Sequence, residues 1–204
     1  MAGMCTCFSN TLTLEAVEAF FAAMADLSRP PSLPHAEFAL GQDIVVIPAG
    51  IQRRLTVRPW GWKKPDGRLL ANARSETVTA KPFFAPHADI RRCVIPADGF
   101  YESSRTRNGN RPWFFKLRSA PVFGLAGLMH ADGNVVILTT EPNACVRSVH
   151  PRMPVILPSD VLSGWLDPEI PFRSLPGALF APWPAKDMAA YSADGPKPSQ
   201  PELF

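Results

Sequence analysis

The 204-residue chain is 46% hydrophobic and 19% charged, with a formal net charge of +3. This balance excludes intrinsic disorder and makes any nucleic-acid footprint local rather than global. Apolar runs too short for a bilayer, and an opening MAGMCTCFSNTL without the regions of a secretory signal, exclude secretion and predict a cytoplasmic chain with reduced Cys5, Cys7, Cys93 and Cys145.

The 23 prolines rule out long uninterrupted helices, because each fixes φ and removes a backbone donor. Thr13 caps a helix predicted over 14–27, with Glu15 in its first turn and Leu14, Val17, Phe21 and Met24 on one face; Pro30 and Pro31 end it. The β-branched run 44–47, closed by Pro48, reads as a buried strand. Further strands are predicted over 93–95, 113–117, 122–128, 135–139 and 153–157. Short helices fit over 143–149 and, starting at the capping Ser159, over 159–166. The pattern weakens beyond Pro171, so residues 4–180 are expected to form one domain and 181–204 a loose Pro-rich tail. The predicted class is α+β: a curved, barrel-like, mostly antiparallel sheet core with short peripheral helices.

Taken singly, the polar residues have ordinary structural readings. His150 suits a helix C-cap, Glu102 a strand end and Asn72 a turn, while Arg53, Arg54, Lys63, Lys64 and Arg68 suit a solvated loop face. Trp113, Phe114 and Phe115 read as core. Cys5 and Cys7 lack the second closely spaced pair that structural zinc needs, so no metal is expected.

Four segments change that reading when taken together: MC at Met4-Cys5, NARSET from Asn72, RCVIPADGFYE from Arg92 and HPRMPVIL from His150. With WG at Trp60 and AGL at Ala126 in the intervals, their identity and order resemble the SOS-response-associated peptidase family over about residues 4–166. The resemblance implies a protein that binds single-stranded DNA and crosslinks abasic sites through an amino-terminal cysteine. Removal of Met4 would leave Cys5 with an α-amine beside its thiol, the 1,2-aminothiol that closes a thiazolidine on an aldehyde; a lysine could reach only the reversible imine. By the same resemblance, Glu102 and His150 would handle protons, Asn72 would orient the reacting groups, Arg74 and Arg152 would grip phosphates, and Trp60 would serve as a base or sugar platform.

The chain departs from the family pattern in three places. Thr6-Cys7 stands where Gly-Arg is usual, so one phosphate contact is expected to be missing. Ser103 follows GFYE where a Trp is common, which removes a stacking ring. Cys5 also lies behind Met1-Ala2-Gly3, so Met4 is expected to be the functional start. Two alternatives stand beside the crosslinking reading: a cysteine peptidase using Cys5 with His150 and Asn72 or Glu102, and a non-covalent binder of single-stranded DNA if Cys5 stays internal. No cofactor, metal or membrane partner is expected, and the chain is expected to be a monomer.

Overall fold

The computed structural model describes residues 6–26, 28–29, 33–106 and 109–193. Short apolar runs punctuated by proline and glycine produce short strands. In chain order the first half forms β1 (Cys7–Asn10), α1 (Leu14–Phe21), β2 (Met24–Ala25), β3 (His35–Ala39), β4 (Asp43–Pro48), β5 (Arg54–Pro59), β6 (Trp62–Lys63), β7 (Leu69–Leu70), β8 (Asn72–Arg74) and α2 (Ala85–Ala88). The second half forms β9 (Arg92–Ala97), β10 (Gly99–Thr106), β11 (Gly109–Leu117), β12 (Phe123–Met129), β13 (Val135–Thr140), α3 (Ala144–Arg147), β14 (Met153–Pro154), β15 (Ile156–Leu157), α4 (Leu162–Leu166) and β16 (Met188–Ser192).

These strands build two main sheets. The smaller has the order β16-β11-β10-β1-β3; the larger runs β14-β13-β12-β9-β4-β5-β2, with β15 on β12 and β8 on β13. Among the described residues only β8 with β13 and β2 with β5 pair as parallel strands; the other strand pairs are antiparallel. The α+β, mostly antiparallel architecture with short helices is therefore present, and the sheets stay open instead of closing into a barrel.

Alternation along the central strands explains the layering. Ile44 and Val46 on β4, Cys93 and Ile95 on β9, and Val135 and Ile137 on β13 face one way, packing with Phe8, Phe100 and Phe115 of the smaller sheet. Their neighbours Val45, Ile47, Val94, Val136 and Leu138 face the opposite way, against Val17 and Phe21 of α1 and Leu162, Trp165 and Leu166 of α4. With both faces covered, the middle strands read as near-continuous apolar runs, which is why 93–95, 122–128 and 135–139 were visible in the sequence.

Three expectations need correction. The helix predicted over 14–27 ends at Phe21: Ala22 turns left-handed at φ 47°, and Met24–Ala25 pairs with β5 instead. Strand pairing there overrides a Met24 that stood in phase with the helical stripe. The basic run is a solvated face at Arg54, Lys63 and Arg68 but not at Arg53. Arg54 opens β5, and Arg53 donates 2.8 Å to the Phe21 carbonyl at the end of α1 and 2.7 Å to Ser163 Oγ. The loose tail expected from 181 contains β16, whose Met188 and Ala189 are buried and whose five residues pair with β11. Residues 194–204 lie outside the described residues.

The PADG corner between β9 and β10 fixes where β1 enters. Asp98 is buried and accepts hydrogen bonds from Ser9 Oγ (2.5 Å), the Thr11 N–H (2.9 Å) and the Thr11 hydroxyl. Gly99 is required next to it, because a Cβ there would lie 2.1 Å from the Phe114 ring and 2.9 Å from the Phe115 carbonyl.

Candidate active site

Of the four residues expected to do chemistry, Cys5 lies outside the described residues, and the other three come from β8 (Asn72), β10 (Glu102) and the segment that follows α3 (His150). Glu102 sits on β10, where β1 and β11 flank it, and its side chain is 3% exposed. Register places Cys7, the first residue of β1, opposite Tyr101, the chain neighbour of Glu102.

His150 is delivered by the exit of α3. Asn143 caps that helix, its Oδ1 accepting the Val146 N–H at 3.0 Å. The N–H groups of Val149 and His150 both return to the Val146 carbonyl at 2.9 Å, so the chain leaves abruptly, and Pro151 prevents continuation. The imidazole is 14% exposed, with Nδ1 3.8 Å from Glu102 Oε1. The same nitrogen lies 3.2 Å from the Arg152 carbonyl oxygen and 3.3 Å from the Arg152 nitrogen.

Asn72 and Arg74 sit on β8, which pairs in parallel with β13, so that Ile137 faces Asn72 and Thr139 faces Arg74. They line a cleft of about 420 Å³ together with Lys64, Leu70, Lys81 and Phe83. His150, Arg152, Glu141 and Arg147 line a second cleft of about 430 Å³. Thr139 connects the two regions: it borders the first cleft, and its carbonyl accepts from Ser75 N–H (3.0 Å), Ser75 Oγ (3.1 Å) and Arg152 Nη2 (2.7 Å).

One expected DNA contact is placed differently. Trp60 is fully buried against Phe8 and donates its indole N–H to the Ala71 carbonyl at 3.0 Å, so it presents no face to a base. Its aromatic surface is worth more inside the core than at a surface. Arg152 forms a fork with Glu76, at 2.7 and 2.8 Å, and its own side chain is only 12% exposed. Burial is the largest single influence on Glu76 and opposes its ionisation, but the Arg152 fork, a main-chain hydrogen bond and the Arg74 charge together hold the carboxyl below its ordinary value. Arg74, by contrast, is exposed.

Sequence reasoning passed over Glu76 and Thr139, although Glu76 stands inside the NARSET segment. It also passed over Lys81 and Phe83 on the cleft wall. Among the described cysteines, burial pushes the Cys93 and Cys145 thiols up, away from thiolate chemistry. Among the described residues no three His, Cys, Asp or Glu side chains group as metal ligands, and no helix is long and apolar enough to cross a membrane.

Comparison with known proteins places the chain in a family. Two curated relatives from Bacillus subtilis, named abasic site processing proteins YoaM and YoqW, are each 36% identical over 191 residues. The match covers 84% of this chain in both cases, with 84% of YoaM and 85% of YoqW. A crystal structure of a Bacteroides thetaiotaomicron protein shares the fold with a TM-score of 0.76 at 22% identity, covering 92% of this chain and 91% of that one. The family model described as SOS response associated peptidase (SRAP) matches residues 4–195. With its motifs in order and that model matching nearly its whole length, the chain belongs to the SRAP family.

Proposed function

We propose that the protein processes abasic sites in single-stranded DNA by closing a thiazolidine between Cys5 and the ring-opened sugar aldehyde, acting as a monomer in the cytoplasm. The observation that carries this reading is the buried Glu102 carboxylate, 3.8 Å from His150 Nδ1, on the strand beside which β1 begins. The names of the relatives YoaM and YoqW, abasic site processing proteins, support the substrate class.

The chemistry needs an amine, a thiol and groups that move protons. An exposed Cys5 α-amine, with a pKa of about 8, is partly neutral at neutral pH and attacks the aldehyde carbon. The carbinolamine then takes a proton on its hydroxyl and expels water, leaving the imine. The thiol adds to the imine carbon while its proton passes to nitrogen, so the net change is loss of one water per ring closed. An acid and a base are both required, and Glu102 with His150 supplies the pair. Two of the three groups around Nδ1, the Glu102 carboxylate and the Arg152 carbonyl, are acceptors. A proton on Nδ1 would be donated to the Arg152 carbonyl at 3.2 Å, with the Glu102 carboxyl group 3.8 Å away, and would leave Nε2 with its lone pair. Asn72 and Arg74, on the neighbouring cleft with Lys64 and Lys81, would orient the sugar and take backbone phosphates. Phe83, at 38% exposure, is the ring on that wall with an open face.

The test is to express the chain from Met4 and, separately, from Met1, verify each terminus by intact mass, and incubate both with single-stranded DNA carrying one abasic site. A covalent band on a denaturing gel from the Met4 form, lost in Cys5→Ala and after N-acetylation, is the expected result. A proven terminal Cys5 that yields no band would remove the covalent reading in favour of simple DNA binding or peptidase chemistry.

A further inference from the structure

Cys5 and Cys7 enclose a single residue, Thr6. Cys7 opens β1, half-buried, with Tyr101 of β10 opposite it on one side and Ala39 of β3 on the other. Successive strand residues face opposite ways. Its neighbour Phe8 enters the core that the two sheets share, which also holds Cys93 and has Cys145 packed against it. Cys7 therefore points away from both of those thiols, on the opposite face of the smaller sheet. Burial raises the Cys93 and Cys145 thiols, so neither offers a ready thiolate. The cysteine that chain connectivity keeps beside Cys7 is Cys5. It lies outside the described residues, but one intervening residue holds the two Cα atoms within about 7 Å whatever the backbone does. That is the upper edge of the span a disulfide bridges. Closing the bond asks for a bend at Thr6, which precedes the β1 ladder and whose carbonyl accepts the Leu40 N–H at 3.2 Å.

We infer that Cys5 and Cys7 form a reversible disulfide on exposure to a hydroperoxide, a modification site that holds the reactive terminus in a protected form. The consequence for DNA rests on the crosslinking reading; the bond rests on the spacing and placement of the two thiols. The Cys5 thiolate, favoured by its neighbouring α-ammonium, attacks one peroxide oxygen. The O–O bond breaks and water leaves, giving a sulfenic acid. The Cys7 sulfur then attacks the Cys5 sulfur, the S–O bond breaks, and a second water carries off the Cys7 proton. The two thiols lose two electrons and the peroxide gains them. A thiol reductant reverses the change by exchange. Without Cys7 the sulfenic acid has no resolving thiol in reach, and a second peroxide carries it to sulfinic acid, which thiols do not reverse. A bond closed across so short a ring is strained, and strained disulfides are the readily reduced, regulatory ones. The disulfide removes the Cys5 thiol but leaves its α-amine, so the oxidised protein reaches the imine and stops before the thiazolidine.

The experiment uses the chain from Met4 to its C-terminus, with a terminal Cys5 verified by intact mass, as wild type and Cys7→Ser, each exposed to hydrogen peroxide. Wild type is expected to lose two hydrogens and two titratable thiols, and to give a digest fragment in which Cys5 and Cys7 are joined. Dithiothreitol is expected to reverse all three changes. Incubated with single-stranded DNA carrying one abasic site, the oxidised protein is expected to lose its covalent band. The band should return after dithiothreitol, or when cyanoborohydride reduces the imine to a stable amine. Cys7→Ser is expected to crosslink like wild type before peroxide, and afterwards to carry two added oxygens on Cys5 and stay inactive in dithiothreitol. Wild type that gains oxygens on Cys5 without losing two hydrogens would overturn the inference, as would a disulfide-linked dimer. So would a Cys7→Ser protein that dithiothreitol restores as fully as wild type. If reduced wild type fails to crosslink, the functional reading falls, while the mass and the thiol count still decide the bond.

Discussion

A guanidinium is the side chain most costly to remove from water, yet Arg92 is fully buried. Its donors meet main-chain carbonyls at Trp165 (2.6 Å), Asp89 (2.7 Å), Ile170 (2.9 Å), Ala88 (3.2 Å) and Asp167, and its plane lies 5.6 Å from the Trp165 ring. Ala88 and Asp89 close α2, and Trp165 and Asp167 close α4, so one side chain satisfies the orphan carbonyls and the negative dipole ends of two short helices. Burial lowers its pKa, with Asp89 and Asp167 working the other way, but an arginine remains charged in such a site. Arg92→Met keeps the apolar stem and abandons those carbonyls. It is expected to destabilise the fold by about 3 kcal/mol or more, as stranding buried polar groups does. Arg92→Lys should recover only part of this, with three donors in place of five. Urea unfolding decides it: a change within about 0.5 kcal/mol for Arg92→Met, the range of an ordinary surface substitution, would show that water or rearranged carbonyls replace the arginine.

At the scale of elements, α3 has four residues and cannot persist by its own propensity. Asn143 holds it from both sides: Oδ1 caps the Val146 N–H at 3.0 Å, and Nδ2 donates to the Trp183 carbonyl at 2.7 Å. Asn143→Ala removes both and should cost about 1 to 2 kcal/mol, the range of a lost N-cap. Asn143→Asp keeps the cap acceptor but loses the donor, and should fall between. Thermal unfolding of the three proteins gives the order, and an aspartate variant as weak as the alanine one would assign the whole effect to Trp183. The strands at 93–95, 122–128 and 135–139 were legible because burial on both faces writes an apolar run into the sequence. Residues 22–25 were not, since Met24 continues the helical period and only pairing with β5 distinguishes strand from helix. Asn72, Glu102 and His150 were legible through their motifs alone, because nothing in composition separates a buried Glu102 from a strand-end charge. The Glu76–Arg152 fork was illegible, since both members sit in motifs that suggest DNA contact and only the third dimension sets them against each other. Trp60 was misread for a related reason: the family resemblance implied a platform, and only the folded chain shows the core closed over the ring.

For the molecule as a whole, the C-terminal segment joins parts that the rest of the chain leaves separate. β16 covers the outer side of β11 with five register pairs, from Trp113 with Ser192 to Leu117 with Met188. Met188 enters the core shared by the two sheets, and its sulfur lies 2.9 Å from Asn143 Nδ2. Just before the strand, the Trp183 indole N–H donates to Asp187 Oδ2 at 2.9 Å, and Ser119 Oγ donates to the same oxygen at 2.5 Å. A chain ending at Pro182 therefore loses a strand, a core side chain and the outer support of α3 in one step. It also turns β11 into an edge whose N–H and C=O groups are open to pairing with another copy. The expected result is a lower unfolding midpoint together with concentration-dependent aggregation, read by thermal melts and light scattering. Met188→Ala separates the contributions, since it creates a cavity without exposing an edge. It should cost about 2 to 5 kcal/mol, as buried methionine truncations do, and leave the protein monodisperse. A chain ending at Pro182 that melts like the full protein would make β16 a passive cover. Aggregation equal in Met188→Ala would instead place the weakness in the core.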